Sequence, residues 1–574
     1  MPSWRAVLAL LLSLAWRVGI SGSAPPRDPS ENDVLLSVMQ QELTRAQSEL
    51  GKHDPSPYFM SYGVRDQTTA VVVGSQGSLM ASNRPTIRLA SVTVRVGGPA
   101  LDNTHGDNRP SAINSGWIAL NGDNGAIARE LWELTFNEYR RASESYLNVK
   151  TTTQVNAKEG DTSADFSLEA PQVHTDYSEP PRIPDQPALE AMVRRYSSWF
   201  SRYPLVYRSG VVLMVEESRR TLVSTEGTRI VVPDSAVRLL IQAQTQADDG
   251  MDLMRVESFQ AGTVEGLPAE SAIAARVEKM AADLKALRAA PVTEPYAGPA
   301  LLSGRAAAVF FHEVLGHRLE GHRQRGEREG QTFTKKLNQQ VLPDFLTVAD
   351  DPTASTLSGV ELSGRYSYDD EGVPASRVEL IQNGVLKNFL MSRLPIKGFE
   401  KSNGHGRAQA NFMPAGRQGN LMVFSSRTVK DQDLRQKLID EIKKQGKPYG
   451  LYFEDIQGGF TLTQGGLPQS FMVLPVLVWK VYPDGRPDQL VRGVDIVGTP
   501  LAALGRILLT GEKTEVFNGI CGAESGNVPV SAAAPAMLFS EIEVQKRTHM
   551  LNRPPILPPP GFETAESPKG GAQP

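Results

Sequence analysis

Residues 312 to 317 read His-Glu-Val-Leu-Gly-His, and the chain's one cysteine, Cys521, follows about two hundred positions later. Two imidazoles, a carboxylate beside the first and one thiol are the parts of a hydrolytic zinc site. The spacing constrains how the chain folds there. Zinc proteases of the His-Glu-x-x-His type hold their histidines four residues apart, on one helix face. Here the separation is five, and at about 100° per residue a regular α-helix leaves the rings roughly 140° apart. The segment therefore binds no metal, or its helix is locally widened. A π-bulge, with i→i+5 bonding, would realign the rings, and Gly316 is the position expected to carry the distortion.

A chain of 574 residues is too long for one ordinary core and implies two or three domains. A net charge of −4 without a long basic cluster argues against a nucleic-acid partner. Residues 1–24 read as a secretory signal peptide: Arg5 is a short basic start, Ala6–Trp16 is apolar, and small residues follow through Ala24. Export to the periplasm or the exterior is the expectation, with no membrane span after signal removal. The other long apolar run, Phe471–Tyr482, is too short to cross a bilayer. An exported chain with one cysteine has no internal disulfide, so Cys521 needs protection by burial or by metal.

Asp33–Gly51 and Asn124–Leu147 have helical spacing, and between them Tyr58–Val64, Thr68–Val73 and Thr86–Val96 read as strands, with residues 97–123 as loop. Residues 150–188 read as an exposed polar connection. A helix over Pro187–Tyr203 is followed by a β-meander over Val206–Glu216, Arg220–Val232 and Ser235–Phe259. Its turns fall at Glu226-Gly227 and Asp248-Asp249-Gly250. Pro268–Arg288 is helical, and Pro291, Pro295 and Pro299 mark a linker. Beyond the motif the segments are short and β-prone, apart from helices at Asp431–Gln445 and Pro500–Leu509. The expected organisation is α+β. A mixed α/β region over 30–290 precedes an antiparallel β-rich domain over 296–550 that carries the motif helix, and a Pro-rich tail covers 551–574.

His312 and His317 are zinc-ligand candidates, with Glu313 as the base that removes a proton from water. The bare pattern also arises by chance, and the third ligand is open among Glu320, His322, His405 and Cys521. The Arg-rich stretch Arg318–Arg328 reads as a solvated face, and Asp369, Asp370 and Glu371 as a solvated turn. His405, in Asn-Gly-His-Gly-Arg, is a candidate for contact with substrate, and Arg407 for bidentate binding of a peptide carboxylate.

Several blocks in order carry a resemblance. They are Phe310-Phe311-His312-Glu313-Val314-Leu315-Gly316-His317-Arg318-Leu319-Glu320-Gly321, Asp369-Asp370-Glu371-Gly372-Val373-Pro374, Leu380-Ile381-Gln382-Asn383-Gly384-Val385-Leu386-Lys387, Asn403-Gly404-His405-Gly406-Arg407 and Gly519-Ile520-Cys521-Gly522. From about Pro295 to Val544 the chain resembles the TldD/PmbA family of metallopeptidases, with weaker similarity at Ala128-Arg129-Glu130-Leu131-Trp132. The resemblance implies zinc held by His312, His317 and Cys521, with Glu313 catalytic and small or unfolded peptides as substrates. It also implies a dimer, with a copy of this chain or with a related family subunit, in which this chain is the metal-bearing member. Two rival expectations stand beside it: a non-catalytic assembly subunit with a structural zinc, and a zinc amidase acting on a non-peptide bond.

Overall fold

A computed structural model of the chain describes residues 29–106, 109–121, 123–155, 163–325, 332–463 and 470–547. The expected signal peptide and the Pro-rich tail lie outside the described residues.

The first half is built on a nine-stranded sheet whose long central strands are Pro57–Ser75, Arg208–Ser224 and Arg229–Gln246. Alternation decides its faces. Met60, Tyr62, Val64, Val92 and Val94 point into a core with Leu35, Met39 and Leu131 from the helices Pro29–Leu50 and Asn124–Val155. Farther along, Val211, Leu213, Leu239 and Ile241 pack on helices Gln186–Ser198 and Glu270–Ala289.

Pairing in this sheet is antiparallel except where Val173–Thr175 runs beside Arg229–Val231, so the expected mixed α/β character is corrected toward antiparallel. The sheet's second half is a hairpin meander, which needs no crossovers. The two stretches expected as strands before residue 75 are one strand. Asp66 and Gln67, which looked like a break, are held in it by the buried Arg88 (Nε to Asp66 Oδ1, 2.5 Å) and by Glu216 (2.9 Å from Gln67 Nε2). Leu101–Asp102 and Ile113–Trp117 add short strands inside the expected loop.

The polar connection at 150–188 is corrected in part. The helix before it runs to Val155, and Asp165, Phe166 and Ser167 are docked, whereas most of 168–188 is exposed or half-buried as expected. Phe166 is buried, and Arg325 donates to the carbonyls of Ala164 and Ser163 and to Asp165 Oδ1 (2.6, 2.9 and 2.8 Å).

The second half is a twelve-stranded sheet around a core in which Phe310 meets Phe311, Phe471 and Phe539 edge-on. This sheet is mostly antiparallel but not wholly so. Tyr296–Leu302 runs parallel to Gly450–Thr461, and Asn420–Ser425 runs parallel to part of Gly526–Lys546. Segments so far apart in sequence have long crossovers available, as parallel pairing requires. The expected helix at Pro500–Leu509 stops at Leu504, and Ile507–Ala523 continues as a strand hairpinned to Gly526–Lys546. That hairpin carries Cys521 and packs against the motif helix Gly304–Val314. Among the described residues, no helix is long and apolar enough to cross a membrane.

Charged groups join the halves. Arg255 Nη1 lies 2.5 Å from Asp455, which also binds Arg305, and Arg393 of the second half binds Glu226 of the first.

Candidate metal centre

The motif helix starts at Ser303, whose hydroxyl accepts from the Ala306 N–H at 3.1 Å. From Ala306 to Val314 every side chain is buried, so His312 and Glu313 enter the core by helix packing. The expected π-bulge is not what aligns the histidines. The α-helix ends at Val314, Leu315 turns away (φ −112°, ψ −54°), and Gly316–Leu319 forms a separate 3₁₀ turn. Leaving α-geometry re-aims His317, and Arg318 satisfies the freed carbonyls. Its Nη1 donates to the oxygens of Glu313 and Val314 at 3.2 and 3.3 Å. Gly316 is needed for space rather than for distortion. A Cβ there would sit 1.9 Å from Gln418 Oε1, and Gln418 is itself buried with its Nε2 3.4 Å from the His312 carbonyl.

The outcome is a convergent group. The His312 and His317 rings lie 4.9 Å apart, and Cys521 Sγ is 3.3 Å from His317 Nε2. One ligand atom from each of the three side chains falls within 4.8 Å of the others, and all three are buried. Cys521 is thus the third member of the group. Of the alternatives, Glu320 orients instead of joining: fully buried, it takes the His317 Nδ1 proton side at 3.0 Å and leaves Nε2 facing the sulfur. His322 pairs with Glu524. Glu320, His322 and Glu524 converge as a second group, but Arg323 already binds both carboxylates at 2.8 Å and supplies the cation there.

His405 is wholly buried between Asn403 and Asp350 (Nε2 to Oδ1, 3.3 Å), and Arg407 donates to the Gln418 carbonyl over the Tyr366 ring.

The electrostatics follow from this packing. Burial opposes the thiolate of Cys521, but the facing His317 and His312 outweigh it and hold the thiol well below its ordinary range. Burial likewise opposes both imidazolium forms, and Cys521 reverses the balance, so both histidines are raised. Glu320, despite burial, is held at about 2 by His317, Arg323 and Arg417. Arg417 was not legible as a site residue. Wholly buried, it donates to Cys521 Sγ at 3.2 Å and to the Cys521 carbonyl at 2.9 Å. Its only local signal is the flanking Gly416 and Gly419, where a Cβ would meet Leu390 O at 2.2 Å and Asp350 Oδ1 at 3.0 Å.

Two sequence expectations are overturned nearby. Within the stretch expected to be solvated, Arg318, Arg323 and Arg325 are buried, because each guanidinium is bonded to carbonyls or carboxylates; Arg328 lies outside the described residues. Asp369 and Glu371 are likewise no solvated turn. Asp369 accepts from the N–H groups of Glu371, Val373 and Gly406 (3.0, 2.8 and 2.9 Å), and Glu371 accepts from the Arg393 N–H. Burial and the neighbouring Glu371 push Asp369 up to about 8, and burial also raises Glu371.

With this geometry in hand, comparison with known proteins places the chain. Residues 295–546 match the model of the PmbA/TldA metallopeptidase C-terminal domain. That part of the chain is similar to the PmbA/TldD metallopeptidases. It is 27% identical to the metalloprotease TldD homolog of Buchnera aphidicola subsp. Acyrthosiphon pisum, over 43% of this chain and 47% of that protein. It is 23% identical to the zinc metalloprotease TldD homolog of Saccharolobus solfataricus, over 56% of this chain and 67% of that one. The chain spans about half the length of the first of these relatives. The fold extends further: TldE from Thermococcus kodakarensis superposes with a TM-score of 0.60 at 12% identity, over 88% of this chain and all of that structure.

The donor set fits zinc. Two imidazoles and a thiolate are zinc's ordinary ligands, and in a tetrahedral site their donor atoms stand about 3.5 Å apart. His312 Nδ1 is buried without a hydrogen-bond partner among the described residues. Gly316→Ala should displace Gln418, costing about 1–3 kcal/mol as overpacking, and should lower bound zinc. Adding Gln418→Ala should recover part of both losses, as read by denaturant midpoint and metal content.

The raised Asp369 sets a pH dependence of stability. Its contribution is complete below the unfolded carboxyl value of about 4 and is lost as pH rises through the folded value of about 8. Asp369→Asn, whatever its overall cost, should flatten the decline in thermal midpoint between pH 5 and 8; an unchanged slope would show that Asp369 is not responsible.

Proposed function

We propose that this protein is a zinc metallopeptidase that hydrolyses small or unfolded peptides, with His312, His317 and Cys521 holding the ion and Glu313 acting as base. The observation that carries this reading is the convergence of those three buried donors within a metallopeptidase family domain. Bound there, zinc supplies a Lewis acid that lowers the pKa of water toward about 7 and stabilises the oxyanion of a peptide carbonyl.

The chain's own residues divide the remaining work. Glu313 removes the proton of the attacking water and returns it to the departing amine. Its backbone is tied down by Arg318, and Gly459 leaves room for its side chain, since a Cβ at 459 would lie 2.8 Å from Glu313 Cγ. Glu320 fixes the His317 tautomer, and Arg417 donates to the Cys521 sulfur and holds it in place.

Three protein donors favour catalysis over a structural site, which is closed by a fourth; among the described residues the group has three. A zinc amidase would use the same groups on a different bond, so the substrate distinguishes the two readings. We extend the proposal to a dimer, with a second copy or a related family subunit, and to export directed by residues 1–24, for which the composition of that leading segment is the support.

Glu313→Gln should retain zinc and lose about 10²–10⁴-fold in the rate of peptide-library cleavage. Undiminished cleavage would remove Glu313 from the mechanism. Cys521→Ser should release most of the zinc, and unchanged metal content would remove the cysteine from the ligand set.

A further inference from the structure

The N-terminal sheet has one face packed by helices and another that is partly covered. Alternation places Ser61, Gly63, Ser91 and Thr93 on that second face. These residues are small, and where the second half of the chain closes over them an open cleft with a cavity volume of about 110 Å³ remains. Its far wall is the segment 408–414, and the exposed Phe412 with the half-buried Ile113 and Met413 gives it apolar surface.

Four guanidinium groups line the cleft, from Arg65, Arg95, Arg220 and Arg393, against two carboxylates, Asp370 and Glu371. The carboxylates are committed. Asp370 accepts from Arg220 at 2.7 Å and from the Ala408 N–H at 2.8 Å, and Glu371 accepts from the Arg393 N–H at 2.6 Å. Two of the arginines are also committed: Arg220 binds the Tyr368 and Asp369 carbonyls, and Arg393 binds Glu226 and the Ser167 carbonyl.

The other two have capacity left. Arg95, only 5% exposed, is anchored by Nη1 to Asp102 and Thr104, yet its Nε is buried without a partner among the described residues. Arg65 is 32% exposed, and Asp370 lies 3.8 Å from it, beyond hydrogen-bond range. Glu216 and Asp234 also face Arg65, and burial raises both of those carboxyls. Phe166 lies between the Arg95 and Arg393 guanidinium groups, at 4.0 and 4.1 Å, which fixes their positions.

The cleft is linked to the candidate metal centre through the tip of the Cys521 hairpin. Gln409 in its wall receives the Asn527 N–H and donates to the Ser525 carbonyl, at the tip of the hairpin that carries Cys521. Arg417 bridges the same tip to the sulfur, through Ser525 Oγ at 2.7 Å and Cys521 Sγ at 3.2 Å.

We infer that this cleft binds a carboxylate-bearing stretch of the peptide, with a large apolar side chain beside the carboxylate. A preorganised guanidinium in a desolvated wall recognises carboxylate by charge-assisted hydrogen bonds, and Phe412 with its apolar neighbours Ile113 and Met413 supplies the apolar contact. The inference rests on the peptidase reading and names part of its substrate class.

The test uses the full chain as Glu313→Gln, so that peptides are bound but not cut, with calorimetric titration of three peptides. One is Phe- and Leu-containing with a free C-terminal carboxylate, one is its C-terminal amide, and one is the amide with an internal Asp beside the apolar residue. The carboxylate peptide should bind at least about tenfold more tightly than the amide, a difference of about 1.4 kcal/mol. Recovery of affinity with the internal Asp would assign the cleft to acidic side chains, and no recovery would assign it to the C-terminus; either supports the inference.

Arg65→Gln and Phe412→Ala, both at the exposed mouth, should each weaken the carboxylate peptide about tenfold with thermal midpoint and zinc content unchanged. Equal affinity for all three peptides, or full affinity in both variants, would overturn the inference. Failure of the peptidase reading appears separately, as peptides left intact by the zinc-loaded unsubstituted protein.

Discussion

The contact between His317 and Cys521, 204 residues apart in the chain, is the interaction on which the centre depends. It requires a buried helix to stop on time, a 3₁₀ turn to re-aim one imidazole, and a long hairpin to deliver one sulfur beneath it. None of these parts is useful alone. The twelve-stranded sheet holds the hairpin and the motif helix against one another, and the aromatic cluster around Phe310 fixes the helix depth. In this protein the packing of the second half positions the chemistry.

Burying so many polar groups near one site is costly unless each finds a partner. Here buried arginines supply most of the compensation. Arg318 closes the motif helix, Arg323 neutralises Glu320 and Glu524, and Arg417 faces the thiolate. Farther out, Arg255, Arg393 and Arg220 tie the two halves together across the cleft and its neighbourhood. The guanidinium suits this work because it keeps its charge when buried and bonds several acceptors in one plane.

The α+β class, the two turns of the β-meander and the pair His312 and His317 were legible because they rest on local pattern. Cys521 was singled out from the other candidate ligands only by the family resemblance. The meander's strands run Arg208–Ser224, Arg229–Gln246 and Asp252–Ala261 rather than where the sequence placed them. The limits lie where tertiary partners override local chemistry. Asp66 and Gln67 look like a turn until Arg88 and Glu216 are placed opposite them. Asp369 and Glu371 look solvated until three backbone N–H groups and Arg393 cover them. Arg417 and Gln418 carry no signal of their own, since their importance comes from what lies across the fold. The five-residue histidine spacing was informative in another way: it excluded a regular helix, but a helix end solves the same angular problem as a bulge.

The central claim is that His312, His317 and Cys521 hold one zinc ion. X-ray absorption at the zinc edge of the purified protein tests it most directly. The account predicts one zinc per chain with a single sulfur neighbour at about 2.3 Å and two imidazole nitrogens at about 2.0–2.1 Å. A zinc shell without sulfur, or protein that binds no zinc, would contradict it.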